Sequence, residues 1–220
     1  MVSIFIATPA FLGLVDNHYA ISLAETTTLL KEKRISFRVQ INATKSSLAL
    51  ARNELLDTFL KSDCSHILCI DADLGWEPEA VLNLLSHNRE LIGGCYPTRD
   101  LSAFLFNAAY DKEHFYIFDG NLMEMKTIPA GFMLIQRHVI EKMIADHPEL
   151  TYETSSTPGH FLFNTEIVND GLCGEDFVFC KRAQESGFRI WVDPSLLFKH
   201  GKAVGRLQGC LRPEHLRKPH

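Results

Sequence analysis

The sequence predicts an α/β fold with a mostly parallel central sheet flanked by helices and a small antiparallel portion. Three observations carry that expectation. Short apolar runs alternate with helical stretches through the first half of the chain, the order that gives parallel strands with right-handed crossovers. A hairpin signal then interrupts the alternation near residue 120. Finally, 46% hydrophobic residues in 220 make one sizeable core and fall short of two comfortable domains.

Val2 to Ala7 is an apolar run ended by Thr8-Pro9, which fits a buried parallel strand. A helical stretch follows over about Ala20 to Lys33, and Phe37 to Ile41 alternates as a second strand. Ser46 or Ser47 is placed to cap a helix whose Leu48, Ala51, Leu55 and Phe59 recur at helical spacing. His66 to Ile70 reads as a third strand, and Pro78 suits the first turn of a helix running to about His87. Leu91 to Gly94 resembles a fourth strand. His114 to Phe118 and Leu122 to Lys126 flank Asp119-Gly120-Asn121, a hairpin signal. Gly131 to Ile135 reads as one more strand and Arg137 to Ala145 as a helix. From His147 to Cys173 no periodicity is evident. A stretch that long, carrying Pro148, Pro158, Gly159 and Gly171, suits a binding loop or lid. A helix from about Glu175 to Ser186, a strand at Phe188 to Val192 and a strand-like Ser195 to Lys199 complete the series.

The formal net charge of -5 gives no global attraction to nucleic acid or to an anionic membrane. The only basic candidate is the tail from Lys199 to Lys218, so no nucleic-acid partner is expected. No apolar run approaches the roughly 20 residues of a membrane span, and no basic region precedes an apolar stretch at the N-terminus. Six cysteines without a C-x-x-C pair read as reduced and structural. A cytoplasmic location is the expectation, in a host cell if the protein is viral.

The sharpest local feature is Asp71-Ala72-Asp73, directly after the third apolar strand. Ligands of open α/β sheets bind at the carboxyl ends of strands. Two carboxylates there, two residues apart, converge on a hard divalent cation such as Mn²⁺ or Mg²⁺. Helix capping and solvated loop acids are the plainer alternatives. Gly174-Glu175-Asp176 opens a helix, where acids also stabilise the dipole. Helical phase puts Asp176 with Cys180 and Ala183 on the inward face, a good place for a general base, and turns Glu175 toward Phe179 and Arg182. Arg52 lies within the apolar stripe of its helix, so it is either in a salt bridge or facing a phosphate or base. His200, after a strand and before Gly201, is a candidate metal or phosphate ligand. Lys202 and Arg206 extend a basic segment able to neutralise a diphosphate.

In this order, the features resemble the GT-A glycosyltransferases, particularly family 2-like enzymes and small relatives of chlorella viruses. The resemblance rests on Ala7-Thr8-Pro9-Ala10, Ala51-Arg52-Asn53, Asp71-Ala72-Asp73, Pro129-Ala130-Gly131-Phe132, Gly174-Glu175-Asp176, Ile190 to Pro194 and His200, nearly the whole chain. It implies a Rossmann-like single GT-A domain over 1–220: a nucleotide-binding half to about 95, an acceptor and catalytic half over about 96–200, and a basic tail over 201–220. Thr8, Pro9 and Ala10 would border the nucleotide, with Arg52 near it. Asp71 and Asp73 would serve Mn²⁺ or Mg²⁺, Asp73 more directly, with His200 as third ligand. Ala130 and Gly131 would lie beside the donor sugar and Lys202 near the diphosphate. Asp176 would deprotonate the acceptor hydroxyl, with Glu175 in reserve. The implied reaction is sugar transfer with inversion from a nucleotide sugar, a UDP-sugar first, to a glycan or other hydroxyl. Related enzymes often carry His-x-Gly, whereas Gly201 follows His200 at once.

Three other readings compete. A phosphatase of the Asp-x-Asp type would place its acids after the first strand of its core and follow them with Thr or Val, whereas here the pair follows the third strand and Leu74 comes next. A sugar nucleotidyltransferase needs a Gly-rich, Arg-containing loop after the first strand, which Thr8-Pro9-Ala10-Phe11 does not supply. An inactive nucleotide- or glycan-binding module does not need the acid pair and Asp176 together.

Overall fold

The computed structural model describes residues 2–44, 47–99, 104, 106–153, 159–168 and 171–216. Ser46, Pro158 and the last residues of the basic tail, 217–220, lie outside them. In chain order the first elements are β1 (Ser3–Phe11), α1 (Asn17–Glu32), β2 (Ser36–Thr44), α2 (Leu48–Leu60), β3 (His66–Ile70), β4 (Leu74–Trp76), α3 (Glu79–Ser86) and β5 (Leu91–Gly93). The middle holds β6 (Asn107–Ala108), β7 (Phe118–Asp119), β8 (Leu122–Thr127), β9 (Phe132–Gln136) and α4 (Arg137–Asp146). Then come β10 (Thr151–Tyr152), β11 (Gly159–His160), β12 (Glu166–Val168), β13 (Gly171–Cys173) and α5 (Glu175–Glu185). Last are β14 (Ile190–Val192), β15 (Phe198–His200) and β16 (Ala203–Gly205).

The central sheet is nine-stranded in the order β2-β1-β3-β9-β5-β14-β8-β6, with β7 beside β8. Its main strands β2, β1, β3, β5 and β14 run one way, while β9 is inserted antiparallel between β3 and β5. The expected mostly parallel sheet with an antiparallel portion is therefore the fold. Alternation along the strands divides the core. Ile4, Ile6, Leu68 and Ile70 meet Tyr19 and Leu30 of α1 and Val81 and Leu84 of α3. Phe5, Ala7, Ile67 and Cys69 meet Leu55 and Phe59 of α2, Met143 of α4 and Phe179 of α5. Helices thus cover both faces, as buried parallel strands require.

Local signals explain most boundaries. Ser47 caps α2, its hydroxyl accepting from Leu50 N at 3.3 Å. β1 runs past Pro9, longer than expected, because its pairing with β3 ends at Ala7. Beyond that point it has a partner on one side only, β2, and a proline is tolerated there. Among the described residues of 147–173, β10 pairs antiparallel with β11 and β12 with β13, where the sequence suggested a binding loop or lid without periodicity. A three-stranded sheet, β16-β15-β4, was not foreseen. Its three-residue strands are too short to show a period.

Candidate active site

Asp71 follows the last residue of β3, and its amide donates to Gly131 O, just before β9, at 3.0 Å. The antiparallel insertion of β9 thus sets Ala130 and Gly131 beside the acid pair. Fit at Gly131 is tight. A Cβ there would lie 2.2 Å from Tyr96 Oη and 2.4 Å from Asp71 Oδ2, so only glycine leaves those groups in place. Its smallness serves the approach of Tyr96 and Asp71.

Arg52, 4% exposed, joins three segments distant in sequence. Its Nη2 donates to Asp71 Oδ1 at 2.7 Å and its Nη1 to Glu175 Oε1. Burial alone would lower the guanidinium's pKa, but Asp71 and Glu175 outweigh it and raise it, so the charge is permanent. Of the two possibilities for Arg52, the structure presents the salt bridge. Tyr96 donates to the other oxygen of Asp71 at 3.0 Å. Burial, with Asp71 adding to it, pushes the phenol well above its usual range, so it stays a donor.

Asn53 is fully buried and works as a backbone mimic. Its amide donates to Phe163 O at 2.7 Å and its carbonyl accepts from Phe163 N at 2.9 Å. Phe163 in turn stacks on Phe179 of α5 with centroids 4.3 Å apart. This contact corrects the expected orientation of Glu175. The Phe179 and Arg182 side of α5 is buried as well, covered by the segment around Phe163, so Glu175 points inward to Arg52. Asp176 is half-buried beside it, its Oδ1 accepting from Phe177 N at 2.9 Å. Burial raises its pKa, Arg52 opposes, and the like charges of Glu175 and Asp71 add to the rise. Its carboxylate is therefore more basic than that of a solvated aspartate.

The second acid looks elsewhere. Antiparallel pairing of His200 with Leu74 brings β15 alongside β4, immediately after Asp73. His200 Nε2 lies 3.2 Å from Asp73 Oδ2, and His200 Nδ1 lies 2.8 Å from Pro97 O. A carbonyl can only accept, so Nδ1 donates there and Nε2 is the nitrogen turned toward Asp73. An outer hydrogen bond of this kind orients histidine for a metal. Arg99 also reaches this point, its Nη2 donating to Asp73 Oδ2 and its Nε to His200 Nε2 at 3.2 Å.

Asp73 and His200 therefore fit a divalent cation as a carboxylate and an imidazole converging on one spot. Asp71 stands behind, both its oxygens engaged by Arg52 and Tyr96. Among the described residues, no group of three His, Cys, Asp or Glu side chains is arranged to hold a metal. A cavity of about 450 Å³ opens over the acids, lined by Pro9, Phe11, Leu14, Asp16, Leu48, Asp71, Ala72, Asp73 and Arg99.

The remaining expected residues are placed as follows. Pro9 and Ala72 line the cavity. Thr8 does not: it is fully buried, 2.6 Å from the hydroxyl of Tyr19. Ala10 and Ala130 are buried, and Lys202 is exposed in the turn between β15 and β16. Tyr96 and Arg99 escaped sequence reasoning. Their one signal was a position just past the carboxyl end of β5.

No family model and no curated protein sequence matches the chain. Among solved structures, A197 from STIV is similar, with 18% identity, coverage of 100% of this chain and 98% of that one, and a TM-score of 0.55. The two share a fold. Looser likenesses include a mutant Drosophila β1,4-galactosyltransferase 7 in complex with manganese, UDP-Gal and xylobiose. It is 12% identical, over 94% of this chain and 71% of that one, at a TM-score of 0.49. A glycosyltransferase involved in glycosylation of the major capsid of PBCV-1 is 10% identical over 66% of each chain, at 0.35. Likenesses that loose carry no argument about function. No helix among the described residues is long and apolar enough to cross a membrane.

Proposed function

We propose that the chain is a metal-dependent glycosyltransferase of GT-A type. It moves a sugar from a nucleotide sugar, a UDP-sugar first, to a hydroxyl of a glycan or other acceptor. The observation that supports this best is one arrangement at the carboxyl end of β3. There Asp73 is aligned with His200, and Asp71 is tied through Arg52 to the start of α5, where Asp176 sits. In this reading the chain up to about residue 95 holds the donor, and the part to about 200 holds the acceptor and the base.

A divalent cation such as Mn²⁺ or Mg²⁺ held by Asp73 and His200 would supply Lewis-acid neutralisation of charge on the departing diphosphate. The protein's own groups do the rest. Asp176, its basicity raised by burial, takes the proton of the acceptor hydroxyl. The acceptor oxygen bonds to the sugar's anomeric carbon as the bond from that carbon to the diphosphate oxygen breaks, inverting the centre. Arg52 pairs with both Asp71 and Glu175 and so fixes α5 against β3. Pro9 and Ala72 flank the nucleotide in the cavity, and Lys202 faces the diphosphate.

Incubation with a panel of nucleotide sugars and manganese, without acceptor, tests the reading through slow donor hydrolysis. Release of one nucleoside diphosphate that stops on chelation is expected. Calorimetry that shows no nucleotide sugar binding with manganese present would remove the proposal.

A further inference from the structure

Arg99 is the one cation among the described residues that contacts both proposed metal ligands. Its Nη2 is on Asp73 Oδ2 and its Nε is 3.2 Å from His200 Nε2. The two ligand atoms are themselves 3.2 Å apart, so the guanidinium neutralises the point at which they converge. Yet the side chain is not built in. It is 60% exposed, against 4% for Arg52 on the neighbouring acid, and it lines the open cavity above the site. At the neighbouring turn, a Cβ built on Gly201 would lie 3.5 Å from the Arg99 carbonyl oxygen and 3.6 Å from its Cβ and Cγ, ordinary contact.

From this contrast we propose that Arg99 is an exchangeable counter-ion: it occupies Asp73 and His200 in the free protein, and a divalent cation must displace it to bind. Resting on the metal-dependent reading above, the inference assigns the free protein a device that weakens metal binding. Two positive charges cannot share one carboxylate oxygen and one imidazole lone pair, so the two states exclude each other. Arg52, buried and doubly paired, keeps its place in both.

Exposed ion pairs of this kind contribute up to about 1 kcal/mol, and at 1.4 kcal/mol per tenfold that converts to a factor of about five in affinity. The experiment is a titration of Mn²⁺ alone into nucleotide-free protein, followed by manganese electron paramagnetic resonance. Wild type is compared with Arg99→Gln, Arg99→Lys and the double variant Arg99→Gln/Asp73→Asn. Melting curves establish that each variant is folded. The expected result is a Kd about five-fold lower for Arg99→Gln, a smaller gain for Arg99→Lys, and loss of the site in the double variant. Unchanged or weaker manganese binding by folded Arg99→Gln, with the site still lost in the double variant, overturns the exchange and leaves the metal site standing. Binding that survives Asp73→Asn, or no binding in any protein, overturns the metal reading itself and this inference with it.

Discussion

Replacing Arg52 by methionine removes the guanidinium while keeping an unbranched apolar stem in α2. Two carboxylates then lose their partner at once, Asp71 at 22% exposure and Glu175 at 17%. Breaking a buried ion pair costs about 3–5 kcal/mol, because the surviving charge stays desolvated. Both survivors keep some contact with water here, so the lower end, about 3 kcal/mol, is the expectation. At about 2–4 °C per kcal/mol for a chain of this size, the melting temperature should fall by roughly 6–12 °C. Calorimetry at pH 7 reads this directly, and Glu175→Gln in the Arg52→Met background should recover part of it by removing one orphaned charge. Arg52→Lys should not rescue, since one ammonium cannot donate in two directions as a guanidinium does. A melting temperature within a degree of wild type, with no coupling to Glu175, would refute the view that Arg52 clamps β3 to α5. A nucleotide contact by Arg52 would then be the better reading, because its loss would be felt in affinity and not in folding.

Further outcomes follow from the same geometry. Asp176→Asn should keep donor binding while transfer drops by about 10²–10⁴-fold, the usual worth of a positioned base; transfer at the native rate would exclude the role. The folded protein raises the Asp176 pKa above 3.8, so the folded state holds its proton to higher pH than the unfolded chain does. Ionising Asp176 therefore costs stability as pH rises through that window, and Asp176→Asn should melt at or above the wild-type temperature at pH 7. The acid limb of the transfer profile should have its midpoint above 3.8 for the same reason, read from initial rates against pH. Gly131→Ala should cost about 1–3 kcal/mol, as overpacking does, and displace Tyr96 and Asp71, so a urea midpoint equal to wild type would contradict the close approach seen there.

Much of the fold was legible because its elements carry strong local signals. β3 has the same limits in sequence and structure, and of the apolar positions spaced along α2, Ala51, Leu55 and Phe59 are buried while Leu48 at its start is exposed. What escaped depends on partners distant in sequence. β9 reads as a strand, but nothing in residues 132–136 states that it lies antiparallel between β3 and β5. β4 and β16 are three residues each and exist through pairing with β15, which the strand-like reading of Ser195 to Lys199 overlaps. At the site, the acid pair stood out because carboxylates beside an apolar strand need a reason to be there. The inward turn of Glu175 was missed because helical phase sorts one face from the other, while α5 is buried on both. Tyr96 and Arg99 reach the acids from a loop, and loops offer no periodicity to read.

In the proposed function, Asp73 and His200 seat a divalent cation that carries the nucleotide sugar's diphosphate. Crystals grown with manganese and UDP, with diffraction recorded at the manganese absorption edge, test it most directly. The expected result is an anomalous peak within bonding distance of Asp73 Oδ2 and His200 Nε2, the diphosphate against it and the Arg99 side chain displaced. A nucleotide bound with no peak at that point, or with manganese held by other residues, would contradict it.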